Sequence, residues 1–269
     1  VTGSAAEVIA AYAKTNINSG DLGDETIVLT EANNSIDAGA LMSVVALVNG
    51  TAGIVDATSV TAISGTYADV NNVVAALDDN LSTTDTYSVA ITDAVVADAD
   101  KLKLIVEDTS GAKDFGTITQ ITGTAGDLLV LIRDTVTDLN STVAIIVSEV
   151  VGGVSVAATA ADVAEIKAAT GGVVTATVSD QTLASLLHAE TGLGASSVSA
   201  TDALTITVAD SSATADQLNI LESLTGLQVS AAAVDLVTGT YADLKGTLTA
   251  AGSNKIDFGT TVNMTVTSV

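Results

Sequence analysis

Cysteine, proline and tryptophan are absent from the 269 residues, aromatic side chains make up 2%, and eight basic residues stand against 32 acidic ones. The absence of cysteine excludes disulfides, thiol chemistry and cysteine-based zinc or redox sites, and removes disulfide bonding as a guide to compartment. The absence of proline means that no helix or strand position loses its backbone donor. Apolar residues still amount to 48%, so Val, Leu, Ile and Ala must do the packing. Small aliphatic side chains fill thin, regular layers better than deep irregular cores, as in stacked repeats. The formal net charge of −24 argues against phosphate backbones and anionic membrane surfaces, which require Lys and Arg. It favours solubility, repulsion between copies and attraction for cations. Aspartate supplies 24 of the acids, the shorter carboxylate at home in turns and caps. A saline or calcium-rich exterior fits this charge, and a halophilic cytoplasm fits it equally. No signal peptide opens the chain and no apolar run is long enough to span a bilayer. The compact run Val143 to Val147 has the length of a buried strand.

What the chain does have is a recurring phrase. It reads Val1-Thr-Gly-Ser-Ala-Ala-Glu-Val8, then Ile63-Ser-Gly-Thr-Tyr-Ala-Asp-Val70, Ile121-Thr-Gly-Thr-Ala-Gly-Asp-Leu128 and Val237-Thr-Gly-Thr-Tyr-Ala-Asp-Leu244. The starts lie 62, 58 and 116 residues apart, and a worn copy, Val178-Ser-Asp-Gln-Thr-Leu183, falls midway through the last gap. A fixed period near 58 is the signature of a repeat array. Each copy reads as a strand end, a glycine that lets the backbone turn, and a capped helix start. The cap pairs are Ser4 with Glu7, Thr66 with Asp69, Thr124 with Asp127 and Thr240 with Asp243. They resemble capping boxes, although Asp is shorter than the usual Glu or Gln. An apolar helical stripe follows each, such as Val70, Val73, Val74 and Leu77.

Taken in order, the units are about 1–62, 63–120, 121–177, 178–236 and a partial 237–269. Helices are predicted over 4–14, 38–48, 66–77, 100–107, 124–134, 159–169, 181–189, 214–224 and 240–250. Strands are predicted over 26–30, 54–63, 87–92, 116–121, 142–148, 173–179, 203–209, 227–237 and 261–266. Each unit is then βαβα with a half-period of about 29 residues. The expected fold is α/β: stacked βαβα repeats forming a solenoid-like array with a parallel sheet along one side, because strands joined by helices run parallel. One compact domain per unit is the weaker alternative, since so short a unit buries too little surface alone.

The phrase Gly-Thr-Tyr-Ala-Asp-[Val/Leu] and its partner Ala215-Asp-Gln-Leu-Asn-Ile-Leu221 resemble repeats of giant bacterial surface and secreted proteins, notably those of marine cyanobacteria linked to swimming. The resemblance covers residues 1 to about 250. It implies an extracellular or cell-surface location, export without a cleaved N-terminal signal, and a structural or adhesive role. Many such proteins carry calcium-binding Gly-Gly-x-Gly-x-Asp nonapeptides, and this chain has none.

Few residues point to chemistry. Acids recur in strand-to-helix loops: Glu31 and Asp37, Asp93 and Asp98, Asp210 and Asp216. They suit helix capping first. Converging with carbonyls, they are also the calcium candidates, Asp93, Asp98, Asp210 and Asp216 above all, since Ca²⁺ takes six to eight oxygens. The Asp78-Asp79 pair with Asp85 reads the same way. His188, the single histidine, has Ser185 and Glu190 nearby but no oriented acid or elbow motif, which leaves it a structural residue. Tyr67 and Tyr241 share one repeat position and are expected to cover the apolar seam between adjacent coils, the alternative being a repeated binding surface. Arg133 alone makes no anion site, and Gly192 with Gly194 lacks the rest of a phosphate loop. Sequons occur at Asn33, Asn49, Asn80, Asn140 and Asn263.

No convergent nucleophile, base and acid is visible. The expected function is a non-enzymatic structural repeat protein, either a mature product or a segment of a longer array. Its partners are copies of itself or adjoining repeats, without nucleic acid or membrane insertion, and its open repeat ends invite end-to-end assembly. The alternative is a calcium-dependent adhesin segment binding a glycan or a neighbouring cell.

Overall fold

A computed structural model describes residues 1–14, 25–48, 53–77, 79–148, 150–151, 154–155, 157–259 and 261–267. The elements alternate along the chain. They begin β1 (Thr2–Gly3), α1 (Ala5–Tyr12), β2 (Thr26–Leu29), β3 (Ser35–Asp37), α2 (Ala38–Val48), β4 (Ile54–Asp56), β5 (Ala62–Gly65) and α3 (Tyr67–Ala76). Next come β6 (Leu81–Ser82), β7 (Ser88–Ile91), β8 (Val96–Asp98), α4 (Ala99–Asp108), β9 (Lys113–Phe115), β10 (Gln120–Gly123) and α5 (Ala125–Arg133). Then follow β11 (Thr137–Leu139), β12 (Ala144–Val147), a hairpin of β13 (Val150–Val151) and β14 (Val154–Ser155), α6 (Ala160–Ala168), β15 (Val174–Thr177) and α7 (Leu183–Leu186). A single 3-10 turn, Leu193–Ala195, precedes β16 (Ala203–Thr205), β17 (Ser212–Thr214), α8 (Ala215–Ser223), β18 (Val229–Ser230), β19 (Leu236–Gly239), α9 (Tyr241–Gly252), β20 (Ile256–Asp257) and β21 (Asn263–Val266).

The chain is mixed α/β and forms two compact units, one of residues 1–119 with 130–140, the other of 120–129 with 141–269. In the first unit the strands form two open sheets, ordered β1-β2-β4-β6 and β3-β5-β7-β9-β11. Every pairing within them is parallel. In the second unit β10-β12-β15-β16, β17-β19-β21 and β18-β20 are likewise parallel, and only the β13–β14 hairpin is antiparallel among the described residues. Aliphatic side chains line each interior, Ile27, Leu41, Ile63, Val89 and Ile105 in the first and Ile121, Val143, Val163, Leu204 and Leu218 in the second.

All four copies of the phrase have one conformation. The phrase strand ends on glycine, and the glycine carbonyl accepts an N–H from the next strand in its sheet: Thr30 to Gly3, Thr92 to Gly65, Ser148 to Gly123 and Thr267 to Gly239, at 2.8–3.0 Å. The helix begins at the second residue after that glycine, as expected from its Ser or Thr cap. The glycine itself does something other than turn the chain. Among the described residues only Asn34, Asn254 and Gly259 have positive φ. A Cβ on Gly65 would instead lie 2.8 Å from the Ala38 Cβ, and one on Gly239 would lie 2.9 Å from the Ala215 Cβ. The phrase glycine thus lets its strand end meet the first residue of the preceding helix, α2 or α8.

The strands differ from expectation in number. The runs predicted as single strands over 54–63 and 227–237 are each interrupted by a tight turn, giving β4 and β5, β18 and β19, and the run predicted over 116–121 opens in the turn between β9 and β10. Aspartate starts two of these turns, and that of β20: the carboxylates of Asp56, Asp114 and Asp257 accept the N–H two residues on, from Thr58, Gly116 and Gly259, at 2.8–3.0 Å. Turn hydroxyls then hold the neighbouring strand, Ser59 Oγ donating to the Leu29 carbonyl and Thr117 Oγ1 to that of Ile91. Apolar turn residues such as Ala57, Val60 and Ile118 are buried, so the apolar pattern resumes directly past the exposed Thr58, Ser59 and Thr117. The expected single sheet along one side is therefore replaced by several short parallel sheets. Helix α7, expected over 181–189, is four residues long, and a tight turn closed by the Gly192 N–H on the His188 carbonyl follows it.

Gly65→Ala and Gly239→Ala are each expected to cost about 1–3 kcal/mol, the range for overpacking. Pairing them with Ala38→Gly and Ala215→Gly respectively should recover part of that loss. Urea unfolding of the singles and doubles measures it, and additive losses would remove the packing explanation.

Candidate functional site

The chemistry of the chain is concentrated where helices begin. The first N–H groups of a helix have no partner inside it. Here they are closed from two directions. The local Ser or Thr accepts the N–H three residues on, as in Ser4, Thr66, Thr159, Thr214 and Thr240. Glu7 reaches back to the Ser4 N–H, Asp162 to that of Thr159 and Gln217 to that of Thr214, and each completes a capping box. Asp69, Asp127 and Asp243 instead accept the hydroxyl proton of their own cap, at 2.7–2.8 Å. Bonds from the Ser4 N–H and hydroxyl hold the Glu7 carboxyl below its usual value.

The second closure comes from a distant acid. Glu31 Oε1 accepts the Ala5 N–H at 2.7 Å, Asp93 Oδ1 the Tyr67 N–H at 2.8 Å, Asp180 Oδ2 the Ala160 N–H at 2.5 Å and Asp210 Oδ2 the Leu183 N–H at 2.7 Å. Each acid lies 20–27 residues beyond the helix start that it serves. A carboxylate there satisfies an orphan donor and meets the positive end of the helix dipole.

These contacts account for several of the calcium candidates. Asp93 and Asp210 are committed to helix N–H groups as just described. Asp98 precedes α4; its N–H donates to Tyr67 Oη at 2.8 Å, and its carboxylate lies 3.5 Å from Lys101 Nζ. Asp216 is exposed in the first turn of α8. Asp37 caps α2 through the Ala40 N–H. The Asp85 carbonyl accepts the Ser110 N–H, Asp79 is exposed, and Asp78 lies outside the described residues. Among the described residues, no three of Asp, Glu and His come together as a set able to hold a metal ion.

Tyr67 and Tyr241, alike in sequence, differ in surroundings. Tyr67 is half-buried and clamps Asp98, accepting its N–H and donating to its carbonyl at 3.3 Å. Burial, with help from the Asp98 and Asp100 carboxylates, pushes its phenol up. Tyr241 is 72% exposed. Ser185 Oγ accepts the Thr182 hydroxyl proton at 3.0 Å, while the His188 imidazole turns to its own chain, Nδ1 accepting from the Glu190 and Thr191 N–H groups at 3.3 Å. The two side chains do not form a dyad. Arg133 sits in the last turn of α5. Of the sequons, Asn33 and Asn263 are exposed, Asn80 and Asn140 half-buried, and Asn49 outside the described residues.

Three buried features escape sequence reasoning. Thr109, Thr170 and Thr225 follow α4, α6 and α8, and their hydroxyls donate to the Tyr87, Val143 and Leu204 carbonyls. Each also accepts the N–H two residues on. Their recurrence just past a helix, each with a glycine one or two positions on, was the available signal. Lys113 Nζ lies 2.9 Å from Asp134 Oδ2, and Lys167 Nζ donates to Asp202 Oδ1 at 3.0 Å and to the Gly172 carbonyl at 2.7 Å. Asp202 is fully buried and also accepts the Val174 and Ser199 N–H groups. Tyr87 donates to Asp108, and burial, together with that carboxylate, raises its phenol far above the ordinary value.

No helix among the described residues is long and apolar enough to cross a membrane. Compared with protein families, with curated proteins and with solved structures, the chain matches none.

Two predictions test these assignments. Asp93→Ala and Asp210→Ala are each expected to cost about 1 kcal/mol, as for lost helix caps. The loss should be the same in calcium and in chelator; a loss seen only in calcium would mark a cation site. Burial pushes the Asp134 carboxyl up, but bonds from the Thr137 hydroxyl, Lys113 and the Val136 N–H outweigh it and leave its pKa lowered. A carboxylate lowered by folding stabilises fully above its unfolded pKa, and the contribution is lost as pH falls through the folded one. Asp134→Asn should therefore cost about 3 kcal/mol at neutral pH, by leaving Lys113 buried without its partner. That penalty should begin to shrink as pH falls below about 4, where the unfolded carboxyl gains its proton, and should disappear only below the lowered folded value. Denaturant titrations at both pH values distinguish this from a pH-independent packing loss.

Proposed function

We infer that the chain is a non-enzymatic structural repeat protein of the cell surface or extracellular matrix. In this reading its strand–helix segments are coils of an α/β solenoid, repeating at the spacing of the phrase and, more faintly, at half of it. Copies, or adjoining repeats of a longer chain, stack end to end into a filament or layer. The observation that carries it is the fourfold recurrence of the glycine carbonyl contact, from Gly3, Gly65, Gly123 and Gly239 to the strand that follows. An array built this way takes its stability from neighbour contacts, as repeat proteins do. The distant acid caps support the same reading, because they link successive coils through polar contacts as well as through the sheets.

The charge of −24 suits an extracellular or saline setting and opposes association at low salt. The likeness of the phrase to surface-protein repeats of marine cyanobacteria points the same way. The adhesin reading, with calcium in the acidic loops, has less support, since Glu31, Asp93 and Asp210 already serve helix N–H groups.

Sedimentation velocity and electron microscopy over rising protein concentration, at low and high salt, test the assembly. Larger species should appear with concentration and more readily at high salt, where repulsion between copies is screened. A single monomeric species under every condition would overturn self-assembly.

A further inference from the structure

We propose that His188 is a pH-sensitive latch on the segment that carries Leu193 against α6. Its Nδ1 accepts two backbone N–H groups, from Glu190 and Thr191, both at 3.3 Å, and lies 3.0 Å from Thr191 Oγ1. A ring nitrogen facing two N–H donors must be the unprotonated one, so the proton sits on Nε2. The turn it holds is tight. The Gly192 N–H donates to the His188 carbonyl at 2.8 Å, and a Cβ on Gly192 would lie 2.4 Å from the His188 N. Directly beyond the turn, Leu193 is fully buried and the 3-10 turn that it opens packs on α6.

Protonation at Nδ1 turns the acceptor into a donor aimed at two donors. The turn then loses its two N–H contacts to that nitrogen, and only Thr191 Oγ1, at 3.0 Å, can still face it, as an acceptor. Acids line the grooves beside the turn. Asp180 lines the groove that His188 shares with Thr159, Ala160 and Thr191, and Glu165 and Glu190 line the adjoining groove beside α6. Neither groove is lined by Lys or Arg among the described residues. The neutral ring keeps the two N–H groups of the turn, and the cationic ring gives them up beside these carboxylates. Histidine is the side chain whose unperturbed charge change falls between pH 5 and 8, and the chain has one.

Nuclear magnetic resonance of the full chain between pH 8 and pH 5 tests it. At high pH the ring nitrogens should report the Nε2–H tautomer. As the ring titrates, the Glu190 and Thr191 amide signals should move with it, and protection of the Thr191 amide from hydrogen exchange should fall about fivefold, the effect of one ordinary hydrogen bond. In His188→Asn, whose side-chain oxygen keeps an acceptor without titrating, the same amides should stay constant over that range. An Nδ1–H tautomer at high pH, or a Thr191 amide that stays flat while the ring titrates, would overturn the latch. Neither result bears on whether copies assemble.

Discussion

A helix cannot satisfy its own first N–H groups, and this chain completes the job with residues from another part of the fold. The cap on the third N–H is local and comes from Ser or Thr. The first N–H is taken by a carboxylate 20–27 residues away, from Glu31, Asp93, Asp180 or Asp210. An isolated segment would expose that donor to water and lose the packing of its apolar face. With its neighbour present, the same acid closes the backbone and sits at the positive end of the dipole. Each bond is worth about 1 kcal/mol. That is small beside hydrophobic burial, but it is directional. It fixes which residue of one segment faces which residue of the next, which the burial of interchangeable Val, Leu and Ile side chains does not do.

The threonines and buried ion pairs give the same kind of specification at the other ends of the helices. Thr109, Thr170 and Thr225 each hold a strand carbonyl and an N–H in one hydroxyl. Lys167 bridges Asp202 and the Gly172 carbonyl with almost no exposure. A buried ion pair stabilises little over an apolar equivalent, because desolvation offsets the attraction. Breaking one is costly, however, so misaligned packing that separates Lys167 from Asp202 is strongly disfavoured. In a chain of small aliphatics with few aromatics to key the layers, polar contacts supply the register.

Much of this was readable in the sequence because it is local. Helix α2 begins and ends where its pattern says, at 38 and 48, and the caps at Ser4, Thr66, Thr124 and Thr240 follow from residues three apart. The broken strands were unreadable because Ala57, Val60 and Ile118 stay buried through the bend, and the polar residues beside them include Thr58 and Thr117, a residue type that strands also favour. The acids were visible but ambiguous. A carboxylate in a loop carries the same signal whether it meets an N–H group or a cation, and only the partner decides. Lys113 and Lys167 left no trace, since a lysine in sequence reads as solvated.

The phrase glycine shows how a correct pattern can carry a wrong cause. Its position before a helix suggested a turn that needs glycine's backbone freedom. Neither Gly65 nor Gly239 has a positive φ, so any L residue fits the backbone there. What no other residue fits is the space, because Ala38 and Ala215 stand under 3 Å from where a Cβ would be. Glycine on one strand end and alanine at the preceding helix start are therefore one feature shared between two segments. This explains why α2 and α8 open on alanine and not on a larger aliphatic. A bulky side chain on either partner would push the strand end away from the helix start. The N–H that the glycine carbonyl now accepts would lose its partner, and the sheet would lose its pairing at the point where one segment hands over to the next.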